Sequence, residues 1–145
     1  MNKLVFDDYP VRTSYKVHWG DMDAANHVNN LVYLKWTESI RLEYFIAMGV
    51  DTTFRGGAAG PILAWQDCKY IFPVTYPDTV NIGMRTVEIN DDRFTMESGI
   101  FSERHGRIVA VSRQIIVPYD FEALRKVEMP EAWLAGIERI RNSVI

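Results

Sequence analysis

Between residues 30 and 48 the apolar positions Tyr33, Trp36, Ile40, Tyr44 and Ala47 recur three and four apart, while Lys35, Ser39 and Glu43 define a polar side. That period predicts an amphipathic helix over 30–48. Leu34, Phe45, Ile46 and Met48 widen its apolar face, which predicts a helix covered on most sides, and Gly49 is placed to cap its carboxyl end. Elsewhere the pattern changes to alternation. Residues 11–19 (VRTSYKVHW) are rich in β-branched and aromatic side chains and read as a strand, and four further runs, 61–73, 79–90, 93–103 and 107–117, read the same way. Clusters at 76–78, 90–92 and 104–106 separate these runs and predict antiparallel hairpins. Within 79–90, Val80, Ile82 and Met84 alternate with polar or small residues before the phase moves to Val87 and Ile89, which implies either a bulge or two-sided burial there. A closing helix over 130–142 follows Pro130, with Trp133, Ile137 and Ile140 at helical spacing.

One strand, a long apolar helix, four antiparallel strands and a short helix make an α+β domain. Burying a helix of this kind requires the sheet to curl around it. The sheet would keep open edges, and pairing of edges between two copies covers them, so a homodimer or a dimer of dimers is expected. The 51–60 stretch, DTTFRGGAAG, is glycine-rich and weakly patterned and reads as a connection. Phe54 in it and Trp65 after it suggest an apolar lid over a pocket.

At 145 residues, 48% of them hydrophobic and 24% charged, the chain suits a single globular domain spanning 1–145. The formal net charge of −3 argues against a nucleic-acid partner, which needs clustered cations. No apolar run approaches membrane-spanning length, so no membrane partner is expected and the cytoplasm is the default compartment. The single cysteine, Cys68, has no internal disulfide partner and reads as a packed, inert thiol. Arg104, His105 and Arg107 form a small basic spot suited to a phosphorylated small ligand.

The chemistry is concentrated just before the long helix, in HWGDMDAANHVNN. Asp21, Asp23, His27, Asn29 and Asn30 crowd a short loop that delivers them to the helix's amino end, where backbone N–H groups are unpaired and carry partial positive charge. A carboxylate beside such an end has the parts to attack a carbonyl and hold the oxyanion that forms. Asp23 could instead cap the helix, although Asn26, Asn29 and Asn30 lie nearer its start. His27 could orient the loop or take part in the chemistry. Asp21 reads as a turn or salt-bridge residue, and Glu38 and Arg41 could pair along the helix. Asp21, Asp23 and His27 together offer two carboxylates and one imidazole but no second nearby histidine, so no metal site is assigned.

WGDMDAANHVNN followed by YLKWTESIR resembles the 4-hydroxybenzoyl-CoA thioesterase-like branch of the hotdog-fold acyl-CoA thioesterases, and the order of elements is similar over nearly the whole chain. The resemblance implies a sheet of about five strands around a central helix, hydrolysis of an acyl-CoA thioester without a cofactor, and active sites between subunits. It implies that Asp23 carries the chemistry as general base or nucleophile, that Asn30 supplies the helix-end amide polarising the carbonyl, and that His27 supports them. Asn29 and Tyr33 would line the site, Trp65 the acyl pocket, and Arg93, Arg104 and Arg107 are candidates for the CoA phosphates. The family usually has glycine where this chain has Asn26; if that position needs positive φ, asparagine is the mildest replacement. Acyl-carrier-protein thioesterases have an asparagine where Ala25 stands, which makes them a weaker template. Hotdog hydratases place Asp and His five apart, whereas Asp21 and Asp23 lie six and four before His27. A non-catalytic acyl-CoA-binding module is the alternative from another class.

Overall fold

The computed structural model describes residues 6–51 and 59–143. Among the described residues six strands and two α-helices follow in the order β1 (Val11–Lys16), α1 (Asn30–Met48), β2 (Gly60–Tyr70), β3 (Thr79–Ile89), β4 (Phe94–Ser102), β5 (Arg107–Asp120), β6 (Arg125–Lys126) and α2 (Glu131–Asn142). The sheet is antiparallel throughout, in the order β1-β3-β4-β5-β2, with β6 added to the end of β5. One sheet face curls around α1, giving the hotdog architecture implied by the resemblance.

Alternation decides which side chains meet the helix. Val80, Ile82 and Met84 of β3, Phe94, Met96 and Ile100 of β4, and Ala110 and Ile116 of β5 are buried together with Tyr33, Trp36, Ile40, Tyr44 and Met48 of α1. The bulge lies between Thr86 and Glu88, just past Thr86, which keeps the inward phase of Val80, Ile82 and Met84 and bonds the Tyr44 hydroxyl at 2.8 Å. Gly49 ends α1 at φ 87°, and α2 closes over that end: Trp133, Ile137 and Ile140 are buried, and Arg139 Nη2 donates to the Ala47 carbonyl at 3.0 Å. No helix among the described residues is long and apolar enough to cross a membrane.

Two expectations are corrected. The cluster at 76–78 does not close a hairpin, because β2 pairs with β5 at one edge while β3 pairs with β1 and β4. Residues 71–78 carry the chain across the open end of the sheet, and their backbone bonds other segments: Ile71 N–H donates to Val109 O, and Val28 N–H to Val74 O. Nor is α1 covered on most sides within one chain. Leu31, Leu42 and Ile46 are 61%, 48% and 60% exposed, so the sheet wraps one side of the helix and leaves an apolar strip outside. The short β6 and the last three residues of β5 were not evident from the pattern.

Candidate functional site

The loop before α1 folds back on itself. Met22 and Val28 form an isolated antiparallel bridge, and between them Asp23 N–H donates to His27 O at 2.9 Å while Asn26 N–H donates to Asp23 O at 3.0 Å. So tight a turn needs a left-handed residue, and Asn26 provides it at φ 61°. Asp21 serves the turn before it, its Oδ2 accepting the His18 N–H at 2.8 Å.

Capping falls to Asn29, whose side chain accepts the Leu31 N–H at 3.0 Å. Asp23 is therefore not the cap of α1. One of its oxygens, Oδ1, accepts the Ala25 N–H at 2.9 Å, an Asx-turn that fixes the carboxylate. The Asn29 side chain is this cap, and the Asn29 N–H, expected at the oxyanion site, donates to Asp21 O at 2.9 Å. Asn30 is the first residue of the helix, so its N–H has no intrahelical carbonyl to reach.

Asp23, His27, Asn30 and Tyr33 line one cavity of about 350 Å³. Its remaining wall, which the sequence pattern did not single out, is Tyr70 with Ile71, Phe72 and Pro73 at the end of β2. The Tyr70 hydroxyl donates to the Asn30 carbonyl at 3.1 Å, and its ring meets Tyr33 edge-on with centroids 5.0 Å apart. Burial, together with the neighbouring Cys68 thiol, pushes the Tyr70 phenol up to about 12, so it stays a neutral donor through the physiological range. Tyr33 accepts the Val74 N–H at 3.2 Å and is likewise shifted upward by burial, and burial pushes the Cys68 thiol up, away from nucleophilic character. The cavity thus brings a fixed carboxylate, an imidazole and a helix-end amide together against an aromatic wall.

The remaining candidates separate. Arg107 stacks on the outer side of the cavity wall, its guanidinium carbon 4.7 Å from the Phe72 ring centre, with the His105 ring 4.8 Å from the same ring. Arg104 lies beyond the crossing segment, its Nη1 within 3.4 Å of both Thr75 Oγ1 and the Pro77 carbonyl. Arg93 sits at the β3–β4 turn, at the opposite end of the sheet, and pairs with Asp92 through bonds of 3.0 and 3.2 Å. Trp65 is turned away as well. A register shift between Leu63 and Trp65 places Trp65 opposite Ile115, on the sheet face that Tyr70 does not share. Neither residue lines this cavity, and Phe54 lies outside the described residues.

Among known proteins, residues 17–137 match the model of the thioesterase-like superfamily. A thioesterase of Thermus thermophilus, solved with coenzyme A and zinc, is 28% identical with a TM-score of 0.80, over 92% of this chain and 96% of that one. The PA2801 protein of Pseudomonas aeruginosa is 25% identical with a TM-score of 0.78, over 89% and 98%. The BH1999 gentisyl-coenzyme A thioesterase, at 22% identity and a TM-score of 0.76 over 87% and 98%, shares the fold. No curated protein matches the chain.

Proposed function

The chain belongs to the thioesterase-like superfamily, and from that premise we propose that it hydrolyses an acyl-CoA thioester to a free acid and CoA, with Asp23 as the reacting carboxylate. One observation supports the reading: Asp23 and Asn30, the residue whose N–H opens α1, line the same cavity. The thioester carbonyl accepts a hydrogen bond from the Asn30 N–H. Asp23 either takes a proton from the attacking water or attacks the carbonyl carbon itself. In both cases negative charge gathers on the carbonyl oxygen, where the helix-end dipole stabilises it, and collapse expels the CoA thiolate; on the nucleophilic route water then hydrolyses the acyl–Asp23 anhydride to the free acid and restores the carboxylate. Holding one Asp23 oxygen on the Ala25 N–H leaves the other for this work. Tyr70, bonded to the Asn30 carbonyl, braces the first turn of α1, which carries the polarising N–H. His27, exposed beside Asp23, has the position to assist proton transfer.

The CoA end fits the outer side of Phe72, where Arg107 and His105 present cationic and aromatic surface next to the cavity. A second copy completes this reading, since β2 is an open edge and the strip Leu31–Leu42–Ile46 is exposed beside it. The test is a panel of acyl-CoAs assayed for released thiol with wild type and Asp23→Asn. The variant should lose about 10²–10⁴-fold in rate. Near-normal turnover by Asp23→Asn refutes the assignment, and binding of acyl-CoA without turnover by either protein favours a non-catalytic binding module instead.

A further inference from the structure

A second cavity, of about 520 Å³, lies where the ends of β1 and β4 meet the start of β3 and the last residues of the crossing segment. Lys16, Tyr76, Asp78, Thr79, Glu103 and Arg104 supply its polar lining. It shares no residue with the cavity at Asp23, and none of its lining comes from α1 or β2. It therefore lies off the surface given to a second copy.

Its charges do not cancel within the fold. Asp78 is occupied: Oδ1 accepts the Thr79 N–H at 2.7 Å and the Arg104 N–H at 3.0 Å, and Oδ2 accepts the Ser102 hydroxyl. With three donors already on it, this carboxylate does not draw in the Arg104 guanidinium. Arg104 Nη1 rests instead on two neutral oxygens, Thr75 Oγ1 and the Pro77 carbonyl, each at 3.4 Å, which is long for a hydrogen bond. Lys16 and Arg104 form no ion pair among the described residues. Glu103 does not neutralise Lys16 either. The two flank Thr79 from opposite sides, Lys16 in register with it and Glu103 through its N–H to the Thr79 carbonyl, so their backbones stand about 10 Å apart. The Glu103 carboxylate meets the Asn81 amide at 3.5 Å. The Thr79 hydroxyl and the Tyr76 phenol have no hydrogen-bond partner among the described residues, and Tyr76 is 46% exposed. One cavity is thus lined by two cations without a carboxylate partner, two uncommitted hydroxyl donors and open aromatic surface.

We infer that this cavity binds the phosphate group of a nucleotide, with Lys16, Thr79 and Arg104 holding the phosphate oxygens and Tyr76 stacking on the base. A phosphate offers Arg104 charge-assisted, bidentate bonds in place of two long ones to neutral oxygens. It also places an anion between the two cations, where the occupied Asp78 adds no open acceptor to compete. The nucleotide is either a free molecule or the nucleotide end of the CoA substrate, and the recognition chemistry is the same for both. The inference does not depend on the hydrolase reading.

The experiment is calorimetric titration of the protein with AMP, inorganic phosphate and adenosine, for wild type and for Lys16→Gln, Arg104→Gln, Arg104→Lys, Tyr76→Leu and Arg107→Gln. AMP should bind at least about ten-fold more tightly than adenosine, as charge-assisted hydrogen bonds supply. Lys16→Gln and Arg104→Gln should each weaken AMP about ten-fold, Arg104→Lys less, and Arg107→Gln should leave it unchanged. Tyr76→Leu should bring AMP close to inorganic phosphate. The Lys16 and Arg104 side chains are exposed, so melting temperatures should hold; should Arg104→Gln fail to fold, Lys16→Gln carries the test. AMP binding no tighter than adenosine, or lost in Arg107→Gln but kept in Lys16→Gln and Arg104→Gln, overturns the inference. Competition with CoA separates the two sources while leaving the site standing: displacement of AMP identifies the substrate's own nucleotide end, and simultaneous binding identifies a free nucleotide. Thiol release from acyl-CoA is measured separately, and its absence would refute the hydrolase reading alone.

Discussion

Asp23 and Asn26 divide one task between chemistry and backbone geometry. The Asp23–His27 turn closes only because Asn26 sits at φ 61°, a region L-residues enter at a cost of roughly 1–2 kcal/mol and glycine enters freely. Asn26→Gly should leave chemical-denaturation stability unchanged or raise it by up to about 1 kcal/mol, with turnover retained. Asn26→Val should lower stability by about 2 kcal/mol and depress kcat, because the carboxylate it positions would swing away from Asn30. Equal behaviour of the two variants would show that the turn does not aim Asp23. The importance of this position was legible in the sequence, since asparagine stood where glycine is usual. The separation of Asn29 from Asn30 was not. Two adjacent asparagines look alike in a string, and only the bond from the Asn29 side chain to Leu31 N–H reveals which one is the cap and which begins the helix.

At the scale of elements, α1 is held at both ends by different means. Its amino end meets Tyr70, and its carboxyl end is closed by α2, whose Gly136 packs so tightly that a Cβ there would lie 2.2 Å from the Met48 carbonyl oxygen. Gly136→Ala should therefore cost about 1–3 kcal/mol in thermal or denaturant unfolding, while kcat per folded molecule stays near normal, because the clash lies at the far end of α1 from Asp23. A loss of kcat as large as the loss of folded protein would show that α2 reaches the site. The helix limits were readable from period and cap, 30–48 with Gly49, and the bulge after Thr86 from a broken alternation. The partner of β2 was not readable. Nothing local distinguishes a strand that turns back on its neighbour from one that crosses the sheet end, and that choice supplies the Tyr70–Pro73 wall of the cavity.

On the scale of the whole molecule, an outer anchor predicts the alkaline limit of stability. Tyr9 is fully buried against the paired glycines Gly83 and Gly99, and burial, reinforced by the nearby Glu97 carboxylate, pushes its phenol up to about 12. The unfolded phenol ionises near 10, so below that pH both states stay protonated and stability is unaffected. Between about pH 10 and 12 only the unfolded chain loses the proton, and stability should fall by up to about 3 kcal/mol from this group. Denaturant melts against pH should show the decline, with a shallower slope in Tyr9→Phe; an unchanged slope would assign the decline to the other buried tyrosines. Assembly belongs to the same scale. With an open β2 edge and an exposed helix strip, light scattering at micromolar concentration should show no monomer, and a stable, active monomer would refute a site shared between copies. By itself the sequence determined the elements and singled out the loop before α1, because periodicity, turn residues and motif spacing are local. Only the tertiary structure decided which side chains line the cavity with Asp23, that Trp65 and Arg93 lie elsewhere, and that Arg41 ends up on the buried side of α1. Those facts depend on which strand pairs with which and in what register, and a one-residue bulge is enough to reverse them.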